Sequence, residues 1–293
     1  MNTFLIQLID GVAIGSIYGL IAMAIVLVFR ATKVINVAQG EFAVLSTYFV
    51  WQMLQWGVNL YLAILIMLPV SFLLGMLVQR TIIRRTEGKE HLVSITVTIG
   101  MLLIINQAIG WVWSTDVRSF PSVFGDGNFV LAGVRVSAHT IGTIAVLLST
   151  AALIHIFMVK TKLGLAMRSA AEHAQWSRLA GIPASSMFMV GWGFSLAVGA
   201  LAGLLAAPTL FLEPNMLLGA SLYAFAAAAI GGFDSLPGAV VGGITVGVIE
   251  NLAGSYIEFI GSDLKIVVPL LLMFVVLLTR PSGLFGTREV NRV

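Results

Sequence analysis

Apolar residues run in blocks along the chain, near residues 11–29, 35–56, 60–79, 92–113, 138–159, 186–212, 217–233, 238–257 and 264–279. Blocks of about 20 residues match the length a helix needs to cross the hydrocarbon core of a bilayer. They lack the apolar–polar alternation of barrel strands, and backbone groups in hydrocarbon must bond within their own segment, so each block predicts a helix. The pattern therefore predicts an all-α, polytopic transmembrane helix bundle of about 8–9 spans. Residues 217–257 carry the ambiguity. There GGFDSLPG (231–238) splits two short Gly/Ala-rich stretches without a basic residue to fix its side. Two full spans fit, and so does a re-entrant hairpin beside seven full spans.

Composition strengthens this reading. Of 293 residues, 59% are hydrophobic and 10% charged, against roughly 25% charged in an average soluble domain. The longest polar stretches, near 114–137 and 160–185, leave no room for a separate soluble domain, so residues 1–293 read as a single transmembrane domain. No basic region precedes the first apolar block and no small-residue cleavage pattern follows it, so no removable signal peptide is expected.

Charge sets an expected orientation. Arg30, Lys33, Arg80, Arg84, Arg85, Lys89, Lys160, Lys162, Arg168, Arg178, Arg280, Arg288 and Arg292 fall on one side of the alternating connections. Only Arg118, Arg135 and Lys265 fall on the other. By the positive-inside rule the first side is cytoplasmic, which puts the N-terminus outside and the C-terminus in the cytoplasm. The formal net charge of +3 comes from residues scattered between apolar blocks rather than from a basic face, so nucleic acid is not an expected partner.

Little chemistry is legible. The chain has no cysteine, and His91, His139, His155 and His173 stand singly without metal-ligand spacing, so no metal site is expected. No phosphate-binding loop or nucleophile elbow is present, so the chain reads as neither an ATPase nor any other enzyme. Polar groups inside apolar blocks are costly and therefore informative. Asn36, Gln39 and Glu41 open the second block in VINVAQGEF (34–42). Thr96 and Thr98 lie in SITVTIG (94–100), with Asn106 and Gln107 beyond. Asn36, Gln39, Glu41, Thr96, Thr98 and Asn106 are the candidate lining of a translocation pathway, the alternative being interfacial solvation for Glu41 and bonding of the threonines to their own helix. Glu250 and Asn251 read as a solvated helix end. Glycines recur at four-residue spacing (Gly11, Gly15 and Gly19; Gly199 and Gly203; Gly238 and Gly242; Gly243 and Gly247), which lets membrane helices approach closely.

Residues 160–183, KTKLGLAMRSAAEHAQWSRLAGIP, differ from their surroundings. Leu165, Ala166, Ser169, Ala170, Ala171 and Ala174 favour a helix, while Gly181 and then Pro183 supply a stop. A short helix lying parallel to the bilayer on its cytoplasmic side is expected, either an amphipathic connector or a docking element for a cytoplasmic partner.

Taken in order, KVINVAQGEF (33–42), SITVTIG (94–100), GLAMRSAAEHAQWSRLAGIP (164–183) and AAAAIGGFDSLPGAVVGGITVGVIEN (226–251) resemble the branched-chain amino acid ABC permeases of the LivH type, in the LivH/LivM family. The resemblance covers nearly the whole chain. It implies a multi-pass subunit of a bacterial cytoplasmic (inner) membrane importer for a small, branched-chain amino acid. Its implied partners are a second homologous permease, two cytoplasmic ATP-binding subunits, an external substrate-binding protein and membrane lipid. ATP would be bound by the partner subunits, and no cofactor by this chain. Gly164, Arg168, Ala170, Ala171, Ala180 and Gly181 match the family's coupling-helix pattern, and Asn36, Gly40 and Glu41 its N-terminal motif. The chain departs from the family at Gln39, where His is common, and at His173 and Ala174, where an acidic–proline pair is common. A permease for urea or short amides, an ion-coupled secondary transporter using Glu41, and a membrane scaffold without a pathway are the other readings.

Overall fold

The computed structural model describes residues 2–86, 88–125, 127–131, 134–172, 177, 179, 181, 183–257, 259 and 264–286. Ten α-helices follow one another among these residues: α1 (Asn2–Thr32), α2 (Gln39–Gln55), α3 (Leu60–Thr81), α4 (His91–Trp113), α5 (Ala138–Lys160), α6 (Lys162–Glu172), α7 (Ala184–Leu210), α8 (Leu218–Gly231), α9 (Leu236–Tyr256) and α10 (Val267–Thr279). Each predicted apolar block corresponds to one helix, and α6 is the short helix expected between them.

The chain is mostly helical, and six helices among the described residues are long and apolar enough to cross a membrane. These are α1, α3, α4, α5, α7 and α9. Three apolar helices fall short: α2 with 17 residues, α8 with 14 and α10 with 13. At 1.5 Å per residue they rise about 25, 21 and 20 Å against a core of roughly 30 Å. Residues 217–257 thus hold one short helix and one of spanning length.

One element departs from the all-helical expectation. An antiparallel pair, β1 (Asn128–Leu131) and β2 (Val134–Ser137), lies between α4 and α5. Val134 and Val136 are buried while Arg135 is exposed, the period of two that a strand with one covered face requires. Eight residues inside a polar connection are too few to stand out from the apolar blocks around them.

The chain forms two compact units, Met1–Val26 with Phe124–Ala151 and Ser221–Val293, and Leu27–Val123 with Ala152–Ala220. In the first, α1 and α9 meet through glycine. A Cβ on Gly11 would come within 2.8 Å of the Val248 Cα, and one on Gly15 within 2.9 Å of the Ile244 Cα; Gly243 and Gly247 face back onto the backbone of Gly19 and Gly15. With no side chain between them the backbones touch, which is how helices gain packing where lipid gives no hydrophobic drive. In the same unit Ser235 caps α9 by accepting from the Gly238 N–H at 3.1 Å. The Leu284 and Phe285 amides donate to the Ile230 and Gly231 carbonyls at 2.8 and 3.1 Å. Those carbonyls belong to the last turn of α8, which has no helical donor for them.

In the second unit α7 is the central helix. Gly75 of α3 lies against the Trp192 carbonyl, Gly199 against the Gln39 side chain, and Gly203 against the Ala43 carbonyl and Thr47. Around Trp192, itself fully buried, gather Val28, Val34, Ala38, Phe42, Val78, Ile83, Met101 and Leu196.

Candidate functional site

The connection between α1 and α2 reaches well along its neighbours. The Ile35 carbonyl accepts from the Thr98 hydroxyl of α4 at 3.3 Å, and the Trp192 indole N–H of α7 donates to Thr32 at 3.3 Å. Consequently α2 begins beside the interior of α4 and α7, which explains why 17 residues complete it. Two polar clusters form where it starts.

Asn36, Gln39 and Ser195 compose the first, and all three are at most 1% exposed. The Asn36 amide donates to Gln39 Oε1 at 3.0 Å, as does the Ser195 hydroxyl at 2.9 Å. Gln39 Nε2 donates to the Ser195 carbonyl at 3.3 Å, and Asn36 Oδ1 accepts from the Ala38 N–H at 3.2 Å. Each group is engaged, so the cluster fixes the entry to α2 against α7, as buried polar groups in a low-dielectric interior require. A Cβ on Gly199 would fall on the Gln39 amide, so that glycine makes room for the network.

Glu41, Asn106 and Asn215 compose the second. Glu41 is 4% exposed. Asn106 Nδ2 approaches Glu41 Oε2 at 3.3 Å, the Pro214 carbonyl at 3.3 Å and Asn215 Oδ1 at 3.0 Å. Glu41 forms no ion pair among the described residues. Asn106 stands about 22 Å of helix rise beyond His91 and about 10 Å before Trp113, so the carboxylate lies beside the last third of a membrane-length helix.

The threonines separate. Thr98 is buried and bonded to Ile35, and Ser94 on the same face donates to the Thr86 hydroxyl at 3.0 Å. Thr96 points to the exposed side and bonds back to the Leu92 carbonyl at 2.8 Å. Of the six candidate pathway residues, the structure joins Glu41 with Asn106 and Asn36 with Gln39, sets Thr98 beside the connection, and leaves Thr96 apart.

The joint between α5 and α6 is tight. Thr161 accepts from the Gly164 N–H at 3.0 Å and donates to the Phe157 carbonyl at 2.7 Å, an N-cap fused to the end of the preceding helix. A Cβ on Gly164 would collide with Phe157 and Met158. Met167 and Ala170 are buried, and the Met167 methyl would lie 3.6 Å from a Cβ on Gly191 of α7, which also faces Ala31. Arg168 and Ala171 are half-buried, and the Arg168 Nε is buried without a hydrogen-bond partner. Gly181 takes φ +78°, the left-handed backbone of a helix stop. Ala180, His173 and Ala174 lie outside the described residues, as does Arg178.

Sequence reasoning missed Ser195 and Asn215, whose partners are 156 and 109 residues away. Glu250, read as a solvated end, is half-buried and accepts from the Tyr18 hydroxyl at 2.8 Å, with the Tyr223 ring stacked on Tyr18 at 4.9 Å. Asn251 donates to the Gln7 carbonyl at 2.6 Å. No group of three or more metal-ligating side chains occurs among the described residues.

A family model described as the permease component of the branched-chain amino acid transport system matches residues 7–277. The high-affinity branched-chain amino acid transport system permease protein BraD of Pseudomonas aeruginosa is 28% identical, over 99% of this chain and 98% of that protein. LivH of Escherichia coli, carrying the same description, is 27% identical over 99% and 98%. A probable branched-chain amino acid transport permease protein LivH of Methanocaldococcus jannaschii is 28% identical over 91% and 88%. Among solved structures, PsaBC from Streptococcus pneumoniae in complex with Fab covers 92% of this chain at 13% identity and a TM-score of 0.48.

Proposed function

Because this chain belongs to the branched-chain amino acid transport permease family, we propose that it is the membrane-spanning subunit of an ABC importer that passes a branched-chain amino acid into the cytoplasm. It works with a second permease, two ATP-binding subunits and an external binding protein, in a bacterial inner membrane, with its N-terminus outside. The observation that carries the mechanical part is a continuous run of contacts from α6 to the start of α2. Gly164 locks α6 to the end of α5, Met167 seats α6 on Gly191 of α7, and four residues further along α7 Ser195 bonds Gln39. A push on α6 by an ATP-binding subunit therefore reaches α7 through the buried Met167 and passes to α2 through the buried Ser195–Gln39 hydrogen bond.

Reconstitution tests the reading. Proteoliposomes holding the full complex and its binding protein are expected to accumulate leucine only with ATP inside the ATP-binding compartment, and to do so after ion gradients are collapsed. Import by this chain alone, or import that follows an ion gradient, overturns it.

A further inference from the structure

The second polar cluster holds more acceptors than donors. One nitrogen, Asn106 Nδ2, has two protons, and three oxygens from two segments approach it: Glu41 Oε2 from α2, and the Pro214 carbonyl and Asn215 Oδ1 from the turn before α8. The second carboxylate oxygen of Glu41, Oε1, receives no hydrogen bond among the described residues, and no lysine or arginine pairs with Glu41 there. By contrast the neighbouring Asn36–Gln39–Ser195 cluster is closed, its donors and acceptors matched. A nearly buried carboxylate without a countercharge marks a functional position in a membrane protein rather than a packing one.

Backbone geometry singles out the same place. Two short helices start close to it in sequence: Glu41 sits in the first turn of α2, and α8 begins three residues after Asn215. Interrupted helices that begin within the membrane are how transporters bring polar backbone and side chains to a substrate. The Pro214 carbonyl, released from any helix, is one such group.

We propose that Glu41, Asn106, Asn215 and the Pro214 carbonyl form a waypoint that receives the α-ammonium group of the substrate on its way through the permease. A primary ammonium carries one positive charge and three diverging N–H donors, which match the surplus charge and the surplus oxygens. A neutral amide or urea would leave the carboxylate uncompensated. The assignment rests on the amino acid importer reading and adds to it the atoms that recognise the substrate.

The test compares wild-type and variant complexes in proteoliposomes, with leucine import and ATP hydrolysis measured together. Glu41→Gln is expected to lower import about tenfold or more, the scale of one lost charge-assisted bond, while hydrolysis stimulated by the binding protein stays within about twofold. Adding Asn215→Asp to Glu41→Gln returns a carboxylate to the cluster and is expected to recover most of the import. Where Glu41→Gln alone fails to assemble, the double variant carries the test. Unchanged import in Glu41→Gln, or an assembled double variant that does not import, overturns the waypoint. ATP-driven import that is lost when choline replaces sodium at equal concentration on both sides of the membrane assigns the cluster to an alkali cation and overturns it too. A wild-type complex that moves no branched-chain amino acid defeats the importer reading instead, so the two failures are distinct.

Discussion

Two glycines show how differently one residue type is used. A Cβ on Gly75 would meet the Trp192 carbonyl and lie 2.9 Å from the Gly193 Cα, all backbone, whereas a Cβ on Gly100 meets nothing within 4 Å. Gly75→Val is therefore expected to lower the thermal midpoint and yield of the purified chain, by at least the roughly 1–3 kcal/mol typical of overpacking, since backbone cannot rotate away. Gly100→Ala is expected to be neutral or to stabilise by up to about 1 kcal/mol through helix propensity. Equal effects of the two, read by thermal unfolding in detergent, would show that α3 and α7 do not approach as described. Both glycines sit in apolar runs, so nothing in their immediate sequence distinguishes them; the difference comes from α7, more than a hundred residues away.

Among the elements, the α8 turn shows how a helix end is closed from a distance. The Leu284 and Phe285 amides satisfy the Ile230 and Gly231 carbonyls, and Gly232 and Gly283 take φ of +101° and +78° to let the two strands of backbone meet. Leu284→Pro removes one donor and is expected to cost about 1–3 kcal/mol as a buried carbonyl loses its partner. Hydrogen exchange should then quicken at the end of α8 while α3 stays protected; unaltered exchange at α8 refutes the capping role. The apolar runs made the positions of the helices legible, whereas the end of α6 at Glu172, nine residues before the predicted stop at Gly181, was not. Neither was the shortness of α2. Hydropathy counts apolar residues but does not record where along its neighbours a helix begins, which for α2 depends on the long-range bond from Thr98 to Ile35. For the same reason Asn36, Gln39, Glu41 and Asn106 could be nominated from their apolar surroundings, whereas their division into a closed and an open cluster could not.

For the whole molecule, the distribution of basic residues leads to an orientation that can be measured directly. The native chain has no cysteine, so single cysteines report sidedness without background. Asp116→Cys is expected to react with a membrane-impermeant maleimide in intact cells, and Lys162→Cys only after permeabilisation or in inverted vesicles. The reverse pattern would place α6 outside and end its assignment as the element that meets ATP-binding subunits. The glycine contact between α1 and α9 has a further consequence, for synthesis. Gly11 and Gly15 leave the ribosome more than 220 residues ahead of Gly243 and Gly247. At about 5–20 residues per second, α1 waits roughly 10–50 s for its partner. Its apolar residues suit that wait, since from Leu20 to Val28 no position carries a polar side chain. Acyl chains occupy the glycine groove until α9 is made, and completing the fold means displacing lipid from a surface that was ready from the start.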